Sequence, residues 1–213
     1  MSDDERMDLS NPIAVITPTL DAAVLQELAA TTGACTAGEV HRRLGRASDA
    51  GVRRVLERLV GQGIVTADRS HRFPLYVLNR DHVAYRHIEG LARLRGEVVN
   101  RIRGELEEWA TPPLHASLFG SFARGEADEA SDIDILLVRP GGLADGGSDG
   151  LTQVSRLADH IEKWTGNQAQ IIDIAPQTLG SMARDDDPLV GSWRADAVHL
   201  CGVRLLDLLR KWR

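Results

Sequence analysis

The sequence predicts an α+β protein built as two unlike halves joined by a long helix. Three observations carry that prediction. Apolar residues recur at helical spacing from Leu20 to Leu28 and from Val52 to Val60, and two short strand-like runs follow at 64–66 and 75–78. A second helical stripe runs from Ile88 to Trp109 and stops at Thr111-Pro112-Pro113. Beyond it, Leu118 to Val138 reads LFGSFARGEADEASDIDILLV, with apolar strand-sized runs on either side of a small and acidic stretch. A further run, QAQIIDIA at 168–175, completes a small mixed sheet flanked by helices. The expected organisation is an arm over 1–18, a first domain over 19–80, a connecting helix over 81–110 and a second domain over 111–213.

Composition narrows the class. The chain has 213 residues, 43% hydrophobic and 26% charged, which suits ordinary globular domains with modest cores. No apolar stretch approaches the roughly 20 residues that a membrane helix needs, so no membrane association is expected. The acidic start MSDDERMDLSNP is not a secretory signal, and Cys35 and Cys201 lack metal-ligand spacing. Reduced thiols and a cytoplasmic location follow as expectations. The net charge of −6 argues against indiscriminate nucleic-acid binding, yet residues 37–80 carry nine arginines against four acids. That asymmetry points to two functions.

In chain order, Pro12 and Pro18 with polar neighbours suggest a frayed or loosely docked arm. Leu20 to Ala30 is a helix stopped near Gly33. Thr36 with Glu39 forms a capping-box pattern that opens a second helix, Ala37 to Leu44. The third begins after Ser48 and buries Val52, Val55, Leu56, Leu59 and Val60, ending at Gly61-Gln62-Gly63. Its opposite face carries Arg53, Arg54, Glu57 and Arg58. Two short strands joined by a basic loop with Arg69, His71 and Arg72 follow. Asp81 caps the long helix, whose stripe suits a bridge between domains, the seam of a homodimer, or a cover for the sheet. Pro140 to Gly150 is a flexible connection, and Leu151 to Trp164 is amphipathic. From Pro188 the chain reads as a final helix packing through Val198, Leu205, Leu206 and Leu209, with a basic end at Arg210, Lys211 and Arg213.

The chemistry concentrates between Leu118 and Val138. A Gly120-Ser121 step after a strand lets backbone amides and a hydroxyl approach an anion closely. Asp132 and Asp134, two apart on a strand, project from one face, and like charges this close call for a cation such as Mg²⁺. Arg124 can reach a phosphate, or it can pair with Glu126 or Asp128. Asp173 lies in an apolar run where an unpaired carboxylate is costly to bury. It is a candidate third carboxylate, against the alternative of an edge-strand residue facing water. Asp185, Asp186 and Asp187 form a rival cluster that reads more simply as a solvated helix end.

Gly-Ser, ten residues, then Asp-x-Asp resembles the signature of the polymerase-beta-like nucleotidyltransferase superfamily. The fuller string, GSFARG, five residues and SDIDILLV, is similar to its minimal nucleotidyltransferase branch. The resemblance spans about 114–176. It implies that Gly120 and Ser121 hold a triphosphate, that Asp132 and Asp134 bind Mg²⁺, and that a third acid from a neighbouring strand, here Asp173, completes a two-ion catalytic site. The implied reaction moves a nucleoside monophosphate, AMP from ATP or its counterpart from another triphosphate, to a hydroxyl of a partner protein or a small molecule. Antitoxins that adenylylate a toxin are the precedent. The alternative is a regulator whose fold only senses nucleotide. The three short helices and hairpin resemble a winged helix-turn-helix domain, which implies contact with double-stranded DNA through Arg53, Arg54, Arg58, Arg69 and Arg72. A solvated arginine face on a protein-docking domain is the other reading, because lysine occurs only at Lys163 and Lys211 and arginine is this chain's default cation.

Overall fold

The computed structural model describes residues 6–45, 47–139 and 148–211. They form two compact units, one of Asn11–Arg95 and the other of Met1–Ser10 with Gly96–Arg213. Among the described residues, no helix is long and apolar enough to cross a membrane.

The first unit contains α1 (Leu20–Ala30), α2 (Ala37–Leu44) and α3 (Asp49–Gly61), followed by the hairpin β2 (Val65–Asp68) and β3 (Leu75–Leu78). The caps are those the sequence encodes. Thr36 Oγ1 accepts from the Glu39 amide at 3.2 Å while the Glu39 carboxylate accepts from the Thr36 amide at 2.7 Å. Ser48 Oγ accepts from the Gly51 amide at 3.1 Å. A two-residue strand, β1 (Cys35–Thr36), joins the hairpin to give the order β1-β3-β2. The core gathers Val24, Leu28, Val40, Val52, Leu56, Leu59 and Val65.

The expected single helix over 82–109 is two helices, α4 (Tyr85–Ala92) and α5 (Leu94–Glu107). The break falls at Arg93, whose amide donates to both the Glu89 and Gly90 carbonyls as it closes α4. Glycines at 90 and 96 weaken helical propensity on both sides of it. The expected loose arm is likewise corrected for its described part. Met7 and Leu9 are buried, and a short 3-10 helix, Pro12–Val15, buries Pro12 and Ile13.

The second unit is built on a four-stranded sheet in the order β6-β5-β4-β7. Its strands are β4 (His115–Phe119), β5 (Ile133–Val138), β6 (Ala169–Ile174) and β7 (Val198–Gly202). β5 and β6 run parallel, whereas β4 is antiparallel to both β5 and β7. The helices are α6 (Gly120–Arg124), α7 (Ser148–Thr165), α8 (Pro176–Arg184), α9 (Pro188–Asp196) and α10 (Leu205–Arg210). Phe119, Leu136 and Val138 pack with Leu179, Trp193, Leu205 and Leu208 in one core cluster on one face of the sheet. The final helix expected from Pro188 is instead a helix, an edge strand and a helix. Gly202 sets that edge: its φ is +76°, and a Cβ there would lie 2.3 Å from the Leu114 carbonyl oxygen. Most of the connection expected over 140–150, and the terminal Arg213, lie outside the described residues.

Candidate nucleotide and cation site

β4 runs fully buried into Gly120, which opens α6 with φ +71°. Phe119 pairs directly with Asp134 on β5, so the bend after β4 lies beside that carboxylate. A Cβ on residue 120 would stand 2.3 Å from Asp134 Oδ2. Only glycine allows both the positive φ and this approach. The amide of Glu126 returns to the Ser121 carbonyl at 2.9 Å, folding the small acidic stretch back over the turn. Ser121 is half-buried at the mouth of the bend.

Asp132 precedes β5 and Asp134 is its second residue, so their spacing gives them a common face. Burial raises the pKa of Asp134 above the usual carboxylate range, and the Asp132 charge pushes the same way; Arg124 opposes the shift and Asp196 adds to it. Asp132 is differently placed. Gln170 Nε2 donates to its Oδ2 at 2.8 Å, and Arg6 Nη1 lies 3.6 Å from its Oδ1. Arg124 is committed to carboxylates, with Nε on Glu126 at 2.7 Å and Nη1 on Asp196 at 2.6 Å. Those bonds raise its pKa.

Asp173 does not join the pair. In the parallel register, Asp134 stands opposite Gln170, Leu136 opposite Ile172, and Leu137 opposite Asp173. Asp173 therefore belongs to the other face of the sheet from Asp132 and Asp134. There it is buried and accepts from Arg139 Nε at 2.8 and 2.9 Å and from Arg139 Nη2. Its role as third carboxylate is withdrawn: the costly buried charge suspected from the sequence is paid by an arginine. The residue of β6 that stands opposite Asp134, on the face of the carboxylate pair, is Gln170. Sequence reading passed over Gln170, Arg6 and Asp196. For Gln170, strand parity was the available signal, but isoleucines at 171, 172 and 174 make both faces of β6 apolar and hide it.

Two hard carboxylates, one of them partly desolvated and without a hydrogen bond or ion pair among the described residues, fit a single divalent cation that also takes substrate oxygens. The expected two-ion arrangement lacks its third carboxylate, and no cluster of three or more metal-ligating side chains occurs among the described residues.

In the first unit, Arg53 Nε is bonded to Asp49 at 2.7 Å and Arg69 Nη2 to Glu57 at 2.6 Å. Arg58 pairs with Asp21 and also donates to Gln62 at 3.1 Å. Arg54 is exposed, and Arg72 lies 5.3 Å from the centre of the Phe73 ring. Neither has a carboxylate partner among the described residues.

The mixed sheet thus carries a glycine–serine bend beside Asp134, with Asp132 two residues before it. Residues 99–186, from α5 through α8, match the family model described as a nucleotidyltransferase domain. No curated protein matches the chain. Solved structures similar to it include a toxin–antitoxin complex with AMP-PNP, 19% identical over 54% of this chain and 82% of that one, with a TM-score of 0.38. A protein from Sulfolobus solfataricus described as a candidate nucleotidyltransferase is 22% identical over 49% of this chain and 80% of that one, with a TM-score of 0.30. The archaeal chromatin protein TrmBL2 is 13% identical over 91% of this chain and 78% of its own, with a TM-score of 0.30.

Proposed function

We propose that the second unit transfers a nucleoside monophosphate, AMP from ATP, to a hydroxyl on a partner protein or a small molecule, and that the first unit is a winged helix-turn-helix that binds double-stranded DNA. The approach of Gly120 to Asp134 is the observation that carries the first half of this reading. It sets a bend suited to phosphate beside a carboxylate suited to a cation. Ser121 supplies a hydroxyl donor to the phosphate tail, and the amides of the bend supply further donors. Asp134, with Asp132 beside it, holds Mg²⁺, which when bound neutralises the triphosphate and polarises the oxygens at the α-phosphorus. In the transfer, the acceptor hydroxyl gives up its proton to water as its oxygen bonds to the α-phosphorus, the bond from the α-phosphorus to the oxygen that bridges to the β-phosphorus breaks, and pyrophosphate leaves. Arg124, tied to Glu126 and Asp196, braces the turn after the phosphate bend.

The test is retention of label from α-labelled ATP with Mg²⁺, on the chain, a co-purified protein or a small acceptor, and its loss in Asp134→Ala. A partner protein is the preferred acceptor, as for an antitoxin acting on its toxin in the cytoplasm. Gln170 favours a second reading, because an amide supplies neither a charge nor a base where a third carboxylate was expected. On that reading the domain binds nucleotide as a signal to the DNA-binding unit. Nucleotide binding that depends on Asp134, with no label transferred to any acceptor, would select it.

A further inference from the structure

We infer that Arg6 and Gln170 together compensate Asp132 from within the chain, so that the site takes a single divalent cation, on Asp134, in competition with Arg6. This rests on the reading of Asp132 and Asp134 as a cation site and adds to it how that site is restrained. Both oxygens of Asp132 face donors: Oδ2 accepts from Gln170 Nε2 at 2.8 Å, and Oδ1 lies 3.6 Å from Arg6 Nη1. By contrast, the Asp134 carboxylate, beside the Gly120 bend, has no hydrogen bond or ion pair among the described residues.

The placement of Arg6 is built rather than incidental. The amide of Met7 donates to the Thr165 carbonyl at 3.1 Å and to Asn167 Oδ1 at 3.2 Å, and the amide of Ser10 donates to the Ala127 carbonyl at 2.8 Å. Met7 and Leu9 are buried between those ties. Asn167, itself fully buried, also donates to the Ser131 carbonyl at 3.1 Å, which joins this strap to the residue just before Asp132. Arg6 Nη1 further reaches the Ala130 carbonyl at 3.4 Å. The strap thus fixes a guanidinium against one of the two carboxylates. A divalent ion bridging Asp132 and Asp134 must move that positive charge away, whereas an ion on Asp134 alone only feels its repulsion.

Mn²⁺ binding to the full chain, followed by electron paramagnetic resonance, tests this without reference to turnover. Wild type should bind one Mn²⁺ per chain. Arg6→Gln should tighten it roughly three- to ten-fold, the scale expected for losing one partly exposed competing charge. Arg6→Lys should stay close to wild type, and Gln170→Glu should tighten binding or admit a second ion. Circular dichroism melts confirm that each variant is folded, and Arg6→Met carries the same test if Arg6→Gln is not. Unchanged or weaker binding in the uncharged Arg6 variants, or two ions in wild type, overturns the inference while the cation site stands. Wild-type Mn²⁺ binding in Asp134→Asn removes the site itself, and the inference with it.

Discussion

The α-carbon of Gly120 lies against the carboxylate of Asp134, so close that a Cβ at position 120 would fall 2.3 Å from Oδ2. On the proposed function, this contact couples the bend that would take phosphate to the carboxylate that would hold the cation. Gly120→Ala should therefore disturb both at once. The left-handed φ of +71° costs a residue with a Cβ about 1–2 kcal/mol, and Asp134 must also move. The expected outcome is a modest fall in melting temperature with at least a ten-fold loss of Mn²⁺ and nucleotide affinity. Ser121→Ala, which creates no clash, should weaken nucleotide binding and leave Mn²⁺ affinity alone. Calorimetric titration of each ligand checks both.

Asp173 and Arg139 form a buried ion pair on the other face of the sheet. Breaking such a pair leaves a buried charge unmatched, at a cost of about 3–5 kcal/mol. Asp173→Ala should accordingly lower stability strongly in urea unfolding. Because the pair does not touch Asp134, the folded fraction should bind Mn²⁺ as wild type does. A catalytic carboxylate would give the reverse pattern, with stability kept and cation binding lost.

These contrasts show what the sequence could disclose. α1, α2 and α3 were legible to within a residue because apolar stripes and cap residues such as Thr36 and Ser48 act locally. The Gly120-Ser121 step and the Asp132, Asp134 pair were legible because their spacing along the chain is their chemistry. β7 was not, since its five residues, with polar His199 among them, owe their strand to pairing with β4 rather than to their own pattern. Nor was the face on which Asp173 falls, which is set by the β5–β6 register. Arg6 meets Asp132 across most of the chain, and no local pattern announces a pairing of that kind.

His115 gives a pH signature. It is buried, its Nδ1 donates to the Val203 carbonyl at 2.7 Å, and its Nε2 then accepts from Ser117 Oγ at 2.9 Å. Burial drives its pKa down to about 4, from about 6.5 in the unfolded chain. Between those values the unfolded chain binds a proton that the folded chain refuses, so the contribution of His115 to stability falls as pH drops through this window and is gone below about 4. The shift corresponds to roughly 3 kcal/mol. His115→Gln should be less stable at pH 7 but show a shallower loss between pH 6.5 and 4 in urea unfolding. Parallel curves would assign the acid sensitivity to other groups.

The arginines of the first unit should not contribute equally to DNA binding. Arg53 and Arg69 are each held by a carboxylate, at 2.7 and 2.6 Å, and must give up that bond or share it to reach a phosphate. Arg54 and Arg72 have no such partner among the described residues, so a phosphate is their best available counter-charge. Each phosphate contact adds close to one unit to the slope of log affinity against log salt. Arg54→Ala and Arg72→Ala should each reduce that slope by about one and weaken binding across sequences. Arg53→Ala and Arg69→Ala should change it less, since each guanidinium is already engaged by Asp49 or Glu57 and makes a weaker phosphate contact. Fluorescence anisotropy with a fragment selected from genomic DNA, over a range of salt, measures all four. Equal slopes in all four variants would show that the ion pairs do not withhold Arg53 and Arg69 from the backbone, and no selected fragment would make this arginine face a surface for docking another protein.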